Sequence, residues 1–135
     1  LIWNLKTCPA VLFDYLSCLQ LFNSGKSLTI YPGSPLIAQQ ILRLGDRLLL
    51  NEIKAPISRH LKKSLSSKIR YKVFNQDGYA ALKALLPPLE RRGLVFIDPP
   101  FESEYEFKSI IQSLEDALTR WLSGVYVIWY PIKGK

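Results

Sequence analysis

The chain has 135 residues, of which 48% are hydrophobic and 21% are charged. This composition is typical of one globular domain with a hydrophobic core, and no apolar run approaches the roughly 20 residues of a membrane-spanning helix. We therefore expect no membrane partner. With one His and two Cys in the chain, a zinc site built from His and Cys is not expected either.

Charge and cysteines indicate the partner and the compartment. The net charge is +7, which favours an anionic partner such as nucleic acid. Half of the 18 basic residues fall between Arg43 and Lys72, and both a solvated surface and a nucleic-acid-binding surface would account for that segment. Cys8 and Cys18 are predicted to be buried thiols of a cytoplasmic protein, rather than a disulfide or a metal pair.

The chain begins with one predicted helix and one strand–helix pair. Apolar residues at helical spacing predict a helix from Pro9 to Phe22, with Thr7 as its N-cap. Residues 27–31 include β-branched side chains and are predicted as a short strand. Ser34 followed by Pro35 is typical of a helix start, in which the serine caps and the proline loses only an unpaired N–H.

Two further strand–helix pairs follow. Residues 47–53 are predicted as an apolar strand that is closed by Glu52, and a helix opens at Pro56. The buried side chains of that helix are predicted to be Ile57, Leu61 and Leu65. Residues 69–74 alternate as a third strand, and residues 79–86 form a short helix that a proline pair ends.

The fourth predicted strand, residues 93–97, runs directly into Asp98. Its continuous apolar residues predict a strand buried on both faces, as in a parallel sheet, and the two prolines after Asp98 end it. Ser103 and Glu106 have the spacing of a capping box and open a helix that extends to Leu122. Residues 125–130 are predicted as a fifth strand.

This order of elements predicts the fold class. A helix, four strand–helix pairs and a final strand imply a parallel sheet with helices on both faces, joined by right-handed crossovers. We therefore predict an α/β fold of the Rossmann type, doubly wound and mostly parallel, as a single domain over residues 1–135. Because the chain has no Met and ends abruptly after Pro131, we also expect it to be part of a longer protein.

Polar residues follow three consecutive predicted strands, at the edge where open α/β sheets bind their ligands. The turn at Ser34 offers N–H groups at a helix N-terminus, which suits an anion or is only a cap. Glu52 stands 18 residues later, near the spacing of an acid that accepts the hydroxyls of a cofactor ribose. Asp77 and Gly78 either receive an adenine amine or form only a turn.

The segment Asp98-Pro99-Pro100-Phe101 indicates the chemistry. An exocyclic amine on a base is a poor nucleophile because its lone pair is delocalised into the ring. The Asp98 carboxylate and a backbone carbonyl, whose direction the prolines fix, can accept hydrogen bonds from the two N–H groups of this amine. They thereby stabilise the charge that develops on methyl transfer. The Phe101 ring can stack on a base taken out of its helix. This pattern predicts amino methylation by S-adenosyl-L-methionine.

These motifs also resemble a known family. Tyr31-Pro32-Gly33-Ser34-Pro35, Asp77-Gly78-Tyr79, Leu86-Pro87-Pro88, Asp98-Pro99-Pro100-Phe101-Glu102 and Trp129-Tyr130-Pro131 follow one another as in the RlmJ family. Its members are bacterial 23S ribosomal RNA adenine N6-methyltransferases. Three departures stand out: the family usually has Tyr at the position of Phe101, it commonly has Glu-Leu-His-Pro where this chain has Glu52-Ile53-Lys54-Ala55, and its N-terminal segment with Lys and His has no counterpart here.

The resemblance implies a class I methyltransferase fold and carries over particular residues. S-adenosyl-L-methionine would be contacted by Ser34, Glu52, Asp77, Gly78 and Asp98. The catalytic residue would be Asp98, with Pro99 and Phe101 beside it. The substrate would be one adenine of protein-poor 23S ribosomal RNA, methylated in the cytoplasm by a monomer without a metal. The alternatives are a DNA adenine N6-methyltransferase and a non-catalytic nucleic-acid-binding module. A nicotinamide-dependent oxidoreductase is disfavoured because the usual glycine fingerprint is missing.

Overall fold

The computed structural model describes residues 8–25, 27–103 and 105–132, so Thr7, the predicted N-cap, lies outside the described residues. Two compact units divide the chain, residues 1–75 and 76–135. Each unit carries one pair of parallel strands together with helices. The predicted α/β class is therefore confirmed. Four of the five predicted strands form in the described part of the chain, as two parallel pairs, and the doubly wound arrangement stays a prediction. Within the described residues, no helix combines the length and apolar character needed to cross a membrane.

In its described residues, the first unit contains three α-helices and two strands. In chain order these are a single 3₁₀ turn at Ala10–Leu12, α1 at Phe13–Phe22, α2 at Ser34–Ile41, β1 at Arg47–Asn51, α3 at Ala55–Ser64 and β2 at Arg70–Phe74. Strands β1 and β2 are parallel, with Arg47 opposite Arg70 and Asn51 opposite Phe74. Their carboxyl ends therefore lie at the same edge of this sheet.

Residues 27–31, predicted as a strand, belong to neither sheet. Their backbone is instead held by the buried side chain of Asn23, whose Oδ1 accepts the N–H groups of Thr29 (2.9 Å) and Ile30 (2.8 Å). The Asn23 amide also donates to the carbonyl oxygens of Leu19 (2.9 Å) and Ile30 (2.7 Å). A side chain that satisfies these backbone groups takes the place of a strand partner.

The buried face of α3 differs from the predicted one. Ser58 and Leu65 are buried and Leu61 is half-buried, but Ile57 is exposed. The helix packs on β2, where the Tyr71 hydroxyl donates to the Lys62 carbonyl at 3.4 Å. The buried side chain in this turn is therefore the small Ser58 and not Ile57. Of the two cysteines, Cys18 is buried in α1 and Cys8 is half-buried, so the prediction of two buried thiols is right for Cys18 only.

The described part of the second unit contains two helices and two strands, α4 at Gly78–Leu85, β3 at Leu94–Ile97, α5 at Tyr105–Arg120 and β4 at Val125–Ile128. Strands β3 and β4 are parallel, with Ile97 opposite Ile128. Helices α4 and α5 pack on each other, and the Arg120 guanidinium joins them by donating to the carbonyl oxygens of Lys83 (2.5 Å) and Leu86 (2.9 Å). Arg120 thereby satisfies carbonyls at the C-terminal end of α4.

Strand β3 is not buried on both faces, which corrects the sequence prediction. Val95 and Ile97 are half-buried, whereas Leu94 is 62% and Phe96 53% exposed. The register places Leu94 opposite Val125 and Phe96 opposite Val127, and the β4 residues are exposed too. One face of this sheet is therefore apolar and exposed.

Candidate active site

The carboxyl end of the first sheet holds Glu52 in a fixed loop. The Glu52 N–H donates to the Phe74 carbonyl at 3.1 Å, which extends the pairing of β1 and β2 by one residue. One carboxylate oxygen of Glu52 accepts the Lys54 N–H at 2.7 Å. A carboxylate offers about four acceptor positions, so this side chain keeps capacity for further donors such as the hydroxyls of a ribose.

Asn75, which the sequence analysis did not single out, fastens the same loop. Its side-chain amide donates to the carbonyl oxygens of Glu52 (2.7 Å) and Ile53 (2.8 Å). The residue directly follows β2, so it reaches across the sheet edge to the residues that follow β1. The only signal in the sequence was an asparagine after a predicted strand, and such a residue is usually part of a turn.

Ser34 begins α2 but does not cap it. The N-cap is Gly33, which is extended, and its carbonyl accepts the N–H groups of Leu36 (3.0 Å) and Ile37 (3.2 Å). Pro35 lies in the first turn, as predicted, and Pro32 is fully buried. Ser34 is therefore exposed at the start of the helix and its side chain does not cap it.

Asp77 is the N-cap of α4, which begins at Gly78. Its Oδ1 accepts the Ala80 N–H at 2.8 Å, a side-chain capping bond of the standard kind. The carboxylate stays exposed, so the capping bond and a contact to a ligand are compatible. The sequence left open whether Asp77 binds an adenine amine or only forms a turn. The structure shows the local role, as the cap of α4, and the exposed carboxylate keeps acceptor positions for an amine.

Tyr79 connects this N-terminus of α4 to α5. Its hydroxyl donates to Glu106 Oε2 at 2.5 Å, and burial together with this bond raises the pKa of Tyr79 well above its usual value. Glu106 is thus not engaged in the predicted capping box. Ser103 Oγ accepts the N–H of Tyr105 at 3.2 Å, and the N–H of Glu106 donates to the Ser103 carbonyl at 3.1 Å.

Asp98 directly follows β3 and is exposed. Hydrogen bonding between the two strands of this sheet continues beside it, where the Trp129 N–H donates to the Ile97 carbonyl at 3.0 Å. The strand therefore fixes the backbone up to the residue before Asp98. The carboxylate itself projects beyond the paired region, as the sequence predicted.

Phe101 closes the Asp98-Pro99-Pro100-Phe101 loop in an unusual conformation. Its φ is 50°, a left-handed value that costs a residue other than glycine of the order of 1–3 kcal/mol. The ring is only 6% exposed, and its centroid lies 4.9 Å from that of Phe107 and 6.1 Å from that of Trp129. In this conformation the ring presents no free face to a base.

An apolar cleft of about 290 Å³ adjoins the Phe101 ring. Helix α5 supplies most of its wall, and the residues at the end of β4 supply the rest. The lining residues include Phe101, Phe107, Ile110, Leu114, Ile128 and Tyr130. Its wall offers aromatic and aliphatic surface beside the loop that carries Asp98.

The predicted site residues thus fall into two groups, one in each unit. Ser34 and Glu52 belong to the first unit, where Glu52 is fixed through Asn75 and Phe74. Asp77, Gly78 and Asp98 belong to the second, with Pro99 and Phe101 in the loop after Asp98. Each acidic residue follows a strand of a parallel pair or caps the next helix.

The family of the chain follows from its sequence as a whole. The model of a family described as Ribosomal RNA large subunit methyltransferase D, RlmJ, matches residues 1–135. The chain belongs to this family. The resemblance inferred from the sequence motifs is therefore confirmed.

Three relatives give the extent of the similarity. The chain is 37% identical over 131 residues to Ribosomal RNA large subunit methyltransferase J of Escherichia coli and 37% identical over 132 residues to that of Haemophilus influenzae. A crystal structure of a Legionella pneumophila protein superposes with a TM-score of 0.90 at 37% identity, over 94% of this chain and 48% of that one. Each of the two alignments with the Escherichia coli and Haemophilus influenzae proteins includes 97% of this chain but only 47% of the relative. The chain therefore spans about half the length of these relatives.

Proposed function

We propose that this chain carries the catalytic loop and part of the cofactor contacts of an S-adenosyl-L-methionine-dependent methyltransferase. The product would be N6-methyladenine at one position of 23S ribosomal RNA. The observation that carries the proposal is Asp98, an exposed carboxylate directly after a parallel strand, followed by a rigid proline pair and a strained aromatic residue. Membership of the RlmJ family supports the substrate class.

The contacts to S-adenosyl-L-methionine are proposed from the position of each residue within its own unit. Glu52 has unused acceptor capacity for ribose hydroxyls, and Ser34 offers a hydroxyl at the start of α2. Asp77 and Gly78 form the N-terminus of α4, where the Asp77 carboxylate can accept a hydrogen bond from the amine of the adenine. These donor and acceptor types fit the polar groups of a nucleoside. A class I, doubly wound methyltransferase fold is part of the same proposal.

S-adenosyl-L-methionine would supply the methyl group and leave as S-adenosyl-L-homocysteine. The residues of this chain act on the adenine: the Asp98 carboxylate and the Pro99 backbone carbonyl accept hydrogen bonds from the two N–H groups of the amine and stabilise the positive charge that grows on it. The methylated amine becomes neutral by losing one proton to solvent. Asp98 is also proposed to contact S-adenosyl-L-methionine. Phe101 stacks on the base, which requires its ring to turn out of its present contact with Phe107 and Trp129.

The setting follows from the substrate. Ribosomal RNA is modified in the cytoplasm, and we propose that the enzyme acts there as a monomer, without a metal, on RNA that carries few ribosomal proteins. The Escherichia coli and Haemophilus influenzae relatives bear the name of an rRNA large subunit methyltransferase, which supports 23S RNA as the substrate.

The test is to incubate the intact protein with methyl-labelled S-adenosyl-L-methionine and protein-free 23S RNA, assembled large subunits or genomic DNA. We expect label in protein-free RNA, recovered as N6-methyladenosine after nuclease digestion. Label in DNA alone would identify a DNA methyltransferase. Binding of RNA without any label transfer would identify a non-catalytic module, and either result would overturn the proposal.

A further inference from the structure

One segment of the first unit carries a charge equal to that of the entire chain. Residues 53–75 contain seven Lys and Arg and no Asp or Glu, which leaves eleven basic and eleven acidic residues elsewhere. The basic residues are Lys54, Arg59, Lys62, Lys63, Lys68, Arg70 and Lys72. The rest of the chain is neutral overall, so the positive field of the chain has its source in this segment.

Helix α3 lies within this segment and has an exposed basic side. Ser58 is 2% exposed and Leu65 is buried, which orients the helix on β2. Arg59 and Lys63 are one turn apart and both exposed, so they are neighbours on the side away from that contact. Lys62 is also exposed and lies beside these two side chains on the helix surface. We call these three side chains the α3 basic face.

Arg59 and Lys63 have no counter-charge among the residues that the structure describes. Among the described residues, Arg43 pairs with Asp46 at 3.7 Å, whereas no carboxylate lies within ion-pair distance of Arg59 or Lys63. Two like charges one turn apart destabilise a helix slightly. The partial negative charge at the C-terminus of the helix stabilises the positive charges of Lys62 and Lys63 in the last turn. Arg59 lies in the middle of the helix, where this stabilisation is absent.

We propose that the α3 basic face binds the phosphate backbone of the RNA substrate. The inference rests on the proposed function, which supplies a polyanion as partner. Arg59 and Lys63 are separated by about 6 Å along the helix axis, a distance comparable to that between successive phosphates of a strand. The helix begins three residues after Glu52, whose carboxylate accepts the Lys54 N–H, so the face is carried by the element that follows the candidate cofactor loop.

Contacts to phosphate position RNA and contribute affinity that salt weakens, without reading sequence. The α3 basic face should therefore set the affinity for RNA and its salt dependence while leaving the chemical step unchanged. Each phosphate contact contributes roughly 0.7 to 0.9 to the slope of log affinity against log salt concentration. Loss of two contacts should lower that slope by about 1.5.

The experiment measures binding of fluorescently labelled, protein-free 23S RNA to the intact protein between 50 and 200 mM KCl, about the range over which such contacts respond. We expect Arg59→Gln with Lys63→Gln to raise Kd roughly tenfold at the lower salt concentration and to flatten the salt dependence. Turnover at saturating RNA and the Kd for S-adenosyl-L-methionine should stay at wild-type values.

Two matched variants serve as controls. Lys83→Gln with Lys108→Gln removes the same charge from α4 and α5 and should change Kd less than twofold. Arg59→Lys with Lys63→Arg keeps the charge and should keep the wild-type salt dependence. A wild-type Kd and slope in Arg59→Gln with Lys63→Gln, or an equal loss in the Lys83 and Lys108 variant, would overturn the inference. Absence of methyl transfer by the wild type would overturn only the proposed function, because binding is measured without the methyl donor.

Discussion

At the scale of single residues, Asp98 and Phe101 have opposite environments although they are three positions apart. Asp98 is exposed after the last paired residue of β3, and Phe101 is buried in a left-handed conformation against Phe107. Strained residues of this kind persist where the surrounding structure holds them, and they concentrate at functional sites. The loop therefore combines a free acceptor with a fixed, strained end.

Replacing Asp98 by Ala should reduce methyl transfer in the intact protein by at least about a hundredfold, because the amine loses its charged acceptor. The fold should persist, since substitution of an exposed side chain usually changes stability by less than about 0.5 kcal/mol. Single-turnover assays at saturating RNA and S-adenosyl-L-methionine would measure the loss, and thermal melting would check the fold. Glu102→Ala, which removes a nearby exposed carboxylate, should remain active. Wild-type turnover in Asp98→Ala would remove this residue from the mechanism.

At the scale of elements, helices α4 and α5 are joined by polar contacts as well as by packing. Arg120 bonds carbonyls near the end of α4, and Tyr79 at its beginning bonds Glu106. The two contacts hold both ends of α4 on the same neighbour. Since Asp77 and Gly78 directly precede Tyr79, the position of these candidate cofactor contacts depends on the Tyr79–Glu106 bond.

We expect Tyr79→Phe to lower the free energy of unfolding by about 1–2 kcal/mol at pH 7, because it removes a bond to a charged group. The pKa of Tyr79 is raised in the folded state, so the stability it contributes is complete below the unfolded value of about 10 and declines as pH rises above it. The difference between wild type and variant should therefore shrink above pH 10. Urea unfolding from pH 7 to pH 11 would measure it.

The other tyrosines are present in both proteins, so their titration cancels from this difference. Tyr105→Phe is the matched control, because its ring is 78% exposed and its loss should leave stability nearly unchanged. A difference between wild type and Tyr79→Phe that stays constant across this pH range would contradict the assigned role of the bond.

At the scale of the whole molecule, the chain leaves an apolar sheet face in contact with solvent. Leu94, Phe96, Val125 and Val127 are cross-strand partners on that face and all are exposed. Contiguous apolar patches of this kind favour association with another surface. In a parallel sheet both faces are normally covered, which is why the apolar run in β3 predicted burial on both sides.

Phe96→Thr with Val127→Thr should reduce binding of a hydrophobic dye by a chain of these 135 residues at least about twofold, and should reduce its self-association. Threonine keeps the branched side chain that strands favour, so the melting temperature should change little. Dye fluorescence and light scattering would measure both effects. Leu89→Thr with Leu122→Thr, two exposed residues outside the face, should have little effect. Unchanged dye binding together with a large loss of stability would mean that the face is covered.

The sequence by itself determined the elements other than the strand predicted at residues 27–31, because the signals that set them act over a few neighbouring residues. Pro35 marks the first turn of α2, the prolines after Asp98 end β3, and apolar spacing locates the other helices and the four strands. The acids at strand ends followed from the same signals, since a strand that ends at a known residue fixes what comes next. The family, too, was apparent from the order of these motifs.

Only the tertiary structure decided which partner each polar or aromatic group takes. Asn23 satisfies the backbone of residues 27–31, which removes a predicted strand, and Asn75 holds the loop of Glu52. Glu106 bonds Tyr79 instead of the predicted Ser103, and Phe101 packs on Phe107 and Trp129. The physical reason is the same in each case: a hydrogen bond or ring contact forms with whichever suitable group is near in space, and local sequence does not specify that neighbour.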